Sequence, residues 1–539
     1  MNGPVRRRWV DRFTWADLAL IPVLLGAVLQ VRRWAFGQSL WLDEEMIAVN
    51  LRDTGFAELT ARLVFNQSAP LGWLWAQRAA VLAIGSSERA LRFVPLLFAI
   101  GTLVVAWLVA RRLLGPVGAV VATAMLAASP ALVRYAAELK QYSSDTFWVL
   151  VLVGLAIAAV DRTVPSTRKL LLWWIVAAVA GWFSMAAILV VPGLAVVLFA
   201  VVARRQGRGP AVRMVLGGSI WLAAVAAHYL VSLRYTTSGS FIAEFWIARN
   251  GLPPKDSGIL ERLSWLAGRP AALAMDPLGL PTGAVTVGFW ILVLAGVVIA
   301  VYRNAAVGAL LAAPIVTGAA LGVAGLVPLA SRLALWLLPV LWLAAATAVD
   351  ALARVAAPPY RQPTRQWVPR VAALAALGVV AVGCLTALRA QVRTDVGRPA
   401  AVDRADDRAA IAWLAANHQD GDLVVVAVQS TPAVRWYAPG SRLRPGWYAR
   451  GAEPSMSCVS SVFPEALRGY RRVLVYAVEG GSQLTTLRAL DTTLDRLGTR
   501  VDERRYDLGR AWIVRLDPTA VAAAAQQPPD TGCLVLNRL

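Results

Sequence analysis

About eleven stretches of this chain are long and apolar enough to cross a bilayer, and each is bounded by charge. They cover 15–31, 91–110, 117–133, 146–160, 170–182, 185–202, 215–233, 285–301, 305–326, 333–353 and 371–388. The basic connections at Arg111-Arg112, 162–169, 204–213, Arg303 and 354–370 all fall on the same side of that count. It is the side of the N-terminus, which Arg6, Arg7, Arg8 and Arg12 place in the cytoplasm. An odd number of spans then puts everything after Arg389 outside the plasma membrane. The expected fold class is an α-helical polytopic membrane protein with a C-terminal extracytoplasmic α/β domain.

Composition agrees. The chain has 539 residues, is 58% hydrophobic and contains 22 tryptophans, and its mean hydropathy of +0.58 lies well beyond a soluble globular profile. A net charge of +21 would point to nucleic acid in a soluble protein. Here much of the arginine lies in short loops, where it sets topology, so nucleic acid is excluded as a partner and phosphate-bearing lipid is not. The run 15–31 is followed by Arg32-Arg33 and no small-residue cleavage site, so it reads as a span and not as a cleaved signal.

The expected boundary lies at 389/390, between a transmembrane domain (1–389) and a soluble one (390–539). Two long outer loops, 32–90 and 234–283, interrupt the first. Within 32–90, the run 71–84 is short and carries Gln77 and Arg78, with Pro70 before it and Trp73 and Trp75 inside. It reads as a helix lying on the outer surface. The second loop, turn-rich and aromatic, is also expected to rest on the membrane. Beyond Arg389, residues 403–417 read as an amphipathic helix and 422–428 as a buried strand. Strand, helix and strand follow at 472–478, 483–497 and 511–516.

Polar chemistry gathers in the outer loops. Asp43, Glu44 and Glu45 emerge just after the first span, near Trp34 and Trp41, which suit the interface. Asp43 either caps the helix running to about Leu51 or presents a carboxylate that deprotonates a hydroxyl or binds a cation, and the two roles are compatible. A second constellation runs from Tyr135 to Asp145. If helical, Glu138, Gln141, Tyr142 and Asp145 share one polar face. Lys140 is one of three lysines, against dozens of arginines, which hints at selection for a compact ammonium; the plainer reading is a solvated face at the start of a span. Arg92 and Arg332 sit at outer ends of spans, where each either snorkels or meets a phosphate. Neither His228 nor His418 suggests a metal or a nucleophile–base pair. No Cys/His spacing resembles a zinc site. Cys384 falls inside the last span, while Cys458 and Cys533 fall in the outer tail and are the expected disulfide.

These motifs resemble the C-type membrane glycosyltransferases, and within them the protein O-mannosyltransferase and lipid A aminoarabinose transferase branch. The resemblance covers about residues 15–353. It rests on Leu42-Asp43-Glu44, Ala69-Pro70-Leu71, Leu91-Arg92 and the Lys140-Gln141-Tyr142-Ser143-Ser144-Asp145 run. It implies a polyprenyl-phosphate-linked sugar as donor and an extracytoplasmic site under the first outer loop. It maps the family's acidic motif to Asp43 and Glu44, and its second acidic position to Asp145. Where the aminoarabinose enzymes carry a lysine before the loop proline this chain has Ala69, so Lys140 and Arg332, with Arg92, become the candidate phosphate ligands. Glu138, Gln141, Tyr142 and Asp145 are the candidate substrate contacts. The expected reaction is an inverting single displacement with Asp43 as general base. The acceptor is a hydroxyl of an envelope glycan, lipid or protein, and no cofactor is required. The competing classes are a lipid-linked sugar or solute transporter without transferase activity, and a non-catalytic glycan-binding membrane protein. A transporter places charges within its spans, and here Asp350, near a span end, stands nearly alone.

Overall fold

The computed structural model describes residues 15–160, 166–235, 240–356, 367–396, 405–439, 443, 447–451, 462–479, 483–526 and 534–538. Contacts divide the chain into two units, residues 1–36 with 54–393 and residues 37–53 with 394–539. The outer-loop segment 37–53 therefore belongs with the C-terminal unit, although its sequence neighbours on both sides belong to the first. Cys458 and Cys533 lie outside the described residues; Cys384 is a free thiol.

Every apolar run becomes helix. Among the described residues, eight helices are long and apolar enough to cross a membrane, or nine if the pair Pro116–Ala127 and Pro130–Ala136, bent by 54°, forms one span. Two of the eleven runs lie outside this count of the described residues. The run at 170–182 lies in Thr167–Phe183, only 17 residues long. The run at 371–388 lies in the 30-residue helix Trp367–Val396, of which the fully described part, Leu374–Arg389, is apolar.

Ser331–Val355 is the bundle's central element, with 94% of its apolar window buried. Ala284–Arg303 lies directly against it. A Cβ on Gly296 would fall inside bonding range of the Ala344 carbonyl, so only glycine permits this approach. The outer helices expose Leu24, Leu25, Leu222 and Leu294, as lipid-facing helices do.

Ionic contacts gather the basic turns at shared ends. Asp17 pairs with Arg111 at 2.9 Å. Asp350 pairs with Arg354 at 2.8 Å and Arg303 at 3.7 Å, and accepts from the Gly115 N–H at 2.9 Å. The sequence placed Arg111, Arg303 and Arg354 on one side, and these contacts group them in the same way.

The helix Leu71–Ile84 has 14 residues, about 21 Å of rise, too short to span. Its first N–H donates to His228 Nε2 at 3.1 Å, while His228 Nδ1 donates to the Gly181 carbonyl at 3.0 Å and Trp182 stacks on the ring. His228, to which the sequence assigned no role, is the anchor of this helix.

The second unit is built on a six-stranded sheet of β1 (Leu423–Ala427), β2 (Trp447–Gly451), β3 (Arg472–Val478), β4 (Gly498–Tyr506), β5 (Gly509–Leu516) and β6 (Leu534–Arg538), in the order β4-β5-β3-β1-β2-β6. β1 pairs in parallel with β2 and β3, and the other pairs are antiparallel. The sequence Leu-Val-Val-Val-Ala of β1 is buried throughout, as a strand covered on both faces must be. Leu423 and Val425 face Leu487, Leu490 and Leu494, while Val424 and Val426 face Ile411, Leu414 and Val434. β4, β2 and β6 went unread. β4 is an edge strand whose Thr-Arg-Val-Asp-Glu-Arg-Arg run lacks apolar alternation and pairs only with β5.

Gly296→Ala is expected to lower the thermal midpoint of the detergent-solubilised protein by several degrees, overpacking of this kind costing ~1–3 kcal/mol. Gly181→Ala, whose added methyl meets Ile188 Cγ1 at an ordinary 3.5 Å, should leave it unchanged or raised. Scanning fluorimetry of the two variants side by side checks the pair.

Candidate functional site

The three carboxylates after the first span open the helix Leu42–Asp53. Trp41 stands at its cap position. Glu44, at the third helical position, accepts the Trp41 N–H at 3.0 Å, the reach-back half of a capping box. The cap role expected for Asp43 is therefore filled by Glu44, which is 0% exposed. Glu45 is 1% exposed. Asp43 alone of the three stays partly exposed. Trp41, expected at the membrane interface, packs instead against the core of the C-terminal unit.

The helix is fixed within that unit at both ends. The Leu40 N–H donates to Tyr437 Oη at 2.7 Å, and the Arg408 N–H donates to Ser39 Oγ at 3.2 Å. At the other end Arg52 donates to the carbonyls of Trp436 and Arg435, each at 3.0 Å, and covers the Trp436 ring at 4.8 Å. Burial is the largest single influence on the Asp53 carboxyl and raises it, but the pairs with Arg52 and Arg435, at 2.7 and 3.3 Å, together outweigh it and leave the carboxyl lowered. In the middle, Glu45 meets Asp407 of the helix Asp407–Asn417, and Asp407 accepts the hydroxyl of Tyr476 on β3.

In the membrane unit the Tyr135–Asp145 motif is not one helix. Pro130–Ala136 ends, residues 137–141 form a turn, and a new helix starts at Tyr142. Ser143 Oγ donates to the Tyr135 carbonyl at 2.8 Å and closes the turn. Glu138 and Gln141 therefore leave the helical face expected for them, and only Tyr142 and Asp145 share a helix. The rings of Tyr135 and Tyr142 meet edge-on at 5.3 Å, and the Arg332 guanidinium lies over Tyr142 at 5.8 Å. Glu138, Arg134, Arg332 and Asp276 all act electrostatically on Tyr135. Lys140 is buried, with Nζ donating to Gln67 Oε1, a neutral acceptor, at 3.0 Å.

Arg332 also lines a cavity of about 480 Å³ with Arg249, Arg269, Asp276, Phe245 and Trp246. Three guanidinium groups and one carboxylate around an aromatic wall suit an anionic group carrying an apolar or sugar moiety. The sequence found Arg332 but not Arg249 or Arg269, because nothing in the spacing of the second outer loop tells which of its arginines turn inward. Arg92 is buried and does not line this cavity.

Asp145 has a structural task. Its Oδ1 accepts from Ser184 Oγ at 2.6 Å and from the Ala186 N–H at 3.2 Å, at the start of the helix Met185–Gln206. Among the described residues, no three His, Cys, Asp or Glu side chains are grouped so as to hold a metal ion.

Comparison with known proteins places these features in a family context. Residues 68–230 match the family described as dolichyl-phosphate-mannose-protein mannosyltransferase. No curated protein sequence matches significantly. Among solved structures, ArnT from Cupriavidus metallidurans in the apo state is similar at 16% identity and TM-score 0.54, over 93% of this chain and 99% of that one. The same protein bound to undecaprenyl phosphate gives 16% and 0.55, over 95% and 99%. The archaeal oligosaccharyltransferase AglB from Archaeoglobus fulgidus gives 12% and 0.48, over 91% and 73%.

Asp145→Ala is expected to lower thermal stability by ~1–3 kcal/mol, since it leaves the Ser184 hydroxyl and the Ala186 N–H without their acceptor. Affinity for a polyprenyl phosphate should stay within about twofold once the protein is folded. A thermal melt paired with a lipid-phosphate titration checks both halves.

Proposed function

We propose that this chain, a membrane glycosyltransferase of the C-type fold, transfers a sugar from a polyprenyl-phosphate-linked donor to a hydroxyl of an extracytoplasmic glycan, lipid or protein. The observation that carries this reading is the arginine-lined cavity beside the Tyr135–Tyr142 pair, in a fold shared with a protein that binds undecaprenyl phosphate. A sugar on a lipid phosphate is already activated, so the protein has two tasks. It must activate the acceptor hydroxyl and stabilise the phosphate as it leaves.

Asp43 is the general base. It is the carboxylate of its cluster that keeps access to solvent, on a helix whose cap and buried face are supplied by Glu44 and Glu45. The acceptor oxygen attacks the anomeric carbon and its proton passes to Asp43. The bond from that carbon to the phosphate oxygen breaks, and the polyprenyl phosphate departs with the electron pair. One displacement inverts the anomeric centre. Arg332, with Arg249 and Arg269 in the same cavity, and Lys140 close by Gln67, offset the charge that grows on the phosphate. The chemistry is extracytoplasmic because the basic turns grouped at the ends of the bundle are its cytoplasmic side.

Asp43→Asn keeps the shape of the side chain and removes its basicity. Transfer by the purified protein should fall by at least the ~10²–10⁴-fold typical of a lost general base, with the thermal midpoint near that of the parent. Activity at the parent's level would move the role elsewhere.

Lys140→Ala and Arg332→Ala should each weaken binding of the polyprenyl-phosphate donor or product by roughly ten- to a hundred-fold, a charged hydrogen bond being worth ~1.5–3 kcal/mol. Acceptor binding should change little. Unaltered donor affinity in both variants, measured by titration in detergent or nanodiscs, rejects the phosphate assignment.

A further inference from the structure

The reaction uses Asp43 and leaves Glu45, two residues on, without chemistry. Glu45 is 1% exposed and Asp407, which it meets, is 2% exposed. Glu45 Oε1 is buried and accepts no hydrogen bond among the described residues. The charged and titratable groups that face the pair are Glu44 from the acidic helix, Asp406 from the chain entering the helix Asp407–Asn417, and Tyr476 from β3. The side chain of Arg408, next to Asp407, reaches the Gly37 carbonyl at 3.3 Å, and Arg52 and Arg435 are engaged with Asp53 at the far end of the helix. Two touching carboxyls surrounded by acids cannot both be charged, so one proton must stay with them. Glu45 keeps it and donates to Asp407, whose other contact is the Tyr476 hydroxyl. Gly509 makes room for that hydroxyl, since a Cβ there would lie 2.7 Å from it.

We propose that Glu45 and Asp407 are positioning residues for Asp43: their shared proton ties the acidic helix to the sheet domain, and loss of that proton releases the helix and disables transfer. The inference rests on the reading of Asp43 as the base. Its pH sense follows from burial, which raises the Asp407 carboxyl to about 7 and the Glu45 carboxyl well above its usual value. Both are higher in the folded chain than in the unfolded one, where carboxyls titrate near ~4. The stabilisation is complete below that unfolded value and is lost as pH rises through the folded values, on the alkaline side of about 7.

The test uses the full chain in nanodiscs. Hydrogen exchange of peptides covering residues 42–53 is measured from acid to alkaline pH alongside kcat and donor affinity. The parent should lose protection and kcat together on the alkaline side. Glu45→Gln, whose amide donates to Asp407 without a titratable proton, should hold both to higher pH. Asp407→Ala should lower protection about tenfold or more at every pH and lower kcat by about 10²-fold, as misplacement of a reacting group does, with donor affinity unchanged. If Asp407→Ala fails to fold, the isosteric Glu45→Gln carries the test alone. Protection that is independent of pH in the parent, or identical pH profiles in the parent and Glu45→Gln, overturns the anchor. Protection that responds while kcat does not overturns the positioning role. Failure of the base assignment shows separately, as activity retained in Asp43→Asn.

Discussion

The first turn of a helix leaves backbone N–H groups without partners inside the helix, and this chain meets that constraint repeatedly with one device. A buried polar side chain from a distant element supplies the acceptor. Asp350 receives the Gly115 N–H ahead of Pro116–Ala127, His228 receives the Leu71 N–H, and Asp145 receives the Ala186 N–H. Each acceptor has a second partner that fixes its orientation: Arg354, the Gly181 carbonyl and the Ser184 hydroxyl, respectively. The placement of the helices around the turn at 137–141, and so of Tyr142 and Lys140, depends on these caps.

The second unit solves a related problem with fewer charges. The acidic helix has carboxylates where its N–H groups are free, which favours it locally, yet it also buries two of them. Glu44 is compensated by the cap it makes. Glu45 is compensated by its contact with Asp407. The contrast between these two and Asp43 is what turns a run of three similar residues into one partly exposed carboxylate on a fixed support. In the membrane unit, the arginines of the cavity are placed in a similar way by backbone and ring contacts: Arg249 lies over Phe245 and Arg269 over Trp265, with the latter also donating to carbonyls of Trp265 and Asn250.

The apolar runs were legible because burial in lipid needs nothing beyond length and hydropathy, and every run read from the sequence is mainly helical, the run 117–133 as a bent pair. The α/β character of the tail was legible from 422–428 and 472–478, where both faces are covered and the signal is a plain hydrophobic run. The polar edge strand β4 was not, since its pairing with β5 leaves no trace in its own pattern. The Tyr135–Asp145 motif was read as a single face because i, i+3, i+4 spacing says nothing about a turn closed by Ser143 on the Tyr135 carbonyl.

By itself the sequence determined that this chain lives in a membrane, that its polar residues gather between spans, and that Asp43, Lys140 and Arg332 are candidates for chemistry. Those properties are additive along the chain: hydropathy, charge and local spacing. Tertiary structure alone decided which neighbours each polar side chain meets. It bound Glu44 into a cap, Asp145 into another and Glu45 into contact with Asp407, each through a partner that the sequence separation hides. It also brought Arg249 and Arg269 to Arg332 across about eighty and about sixty residues of chain. Whether a buried polar group does structural or chemical work depends on who satisfies its hydrogen bonds, and that is a property of neighbours in space.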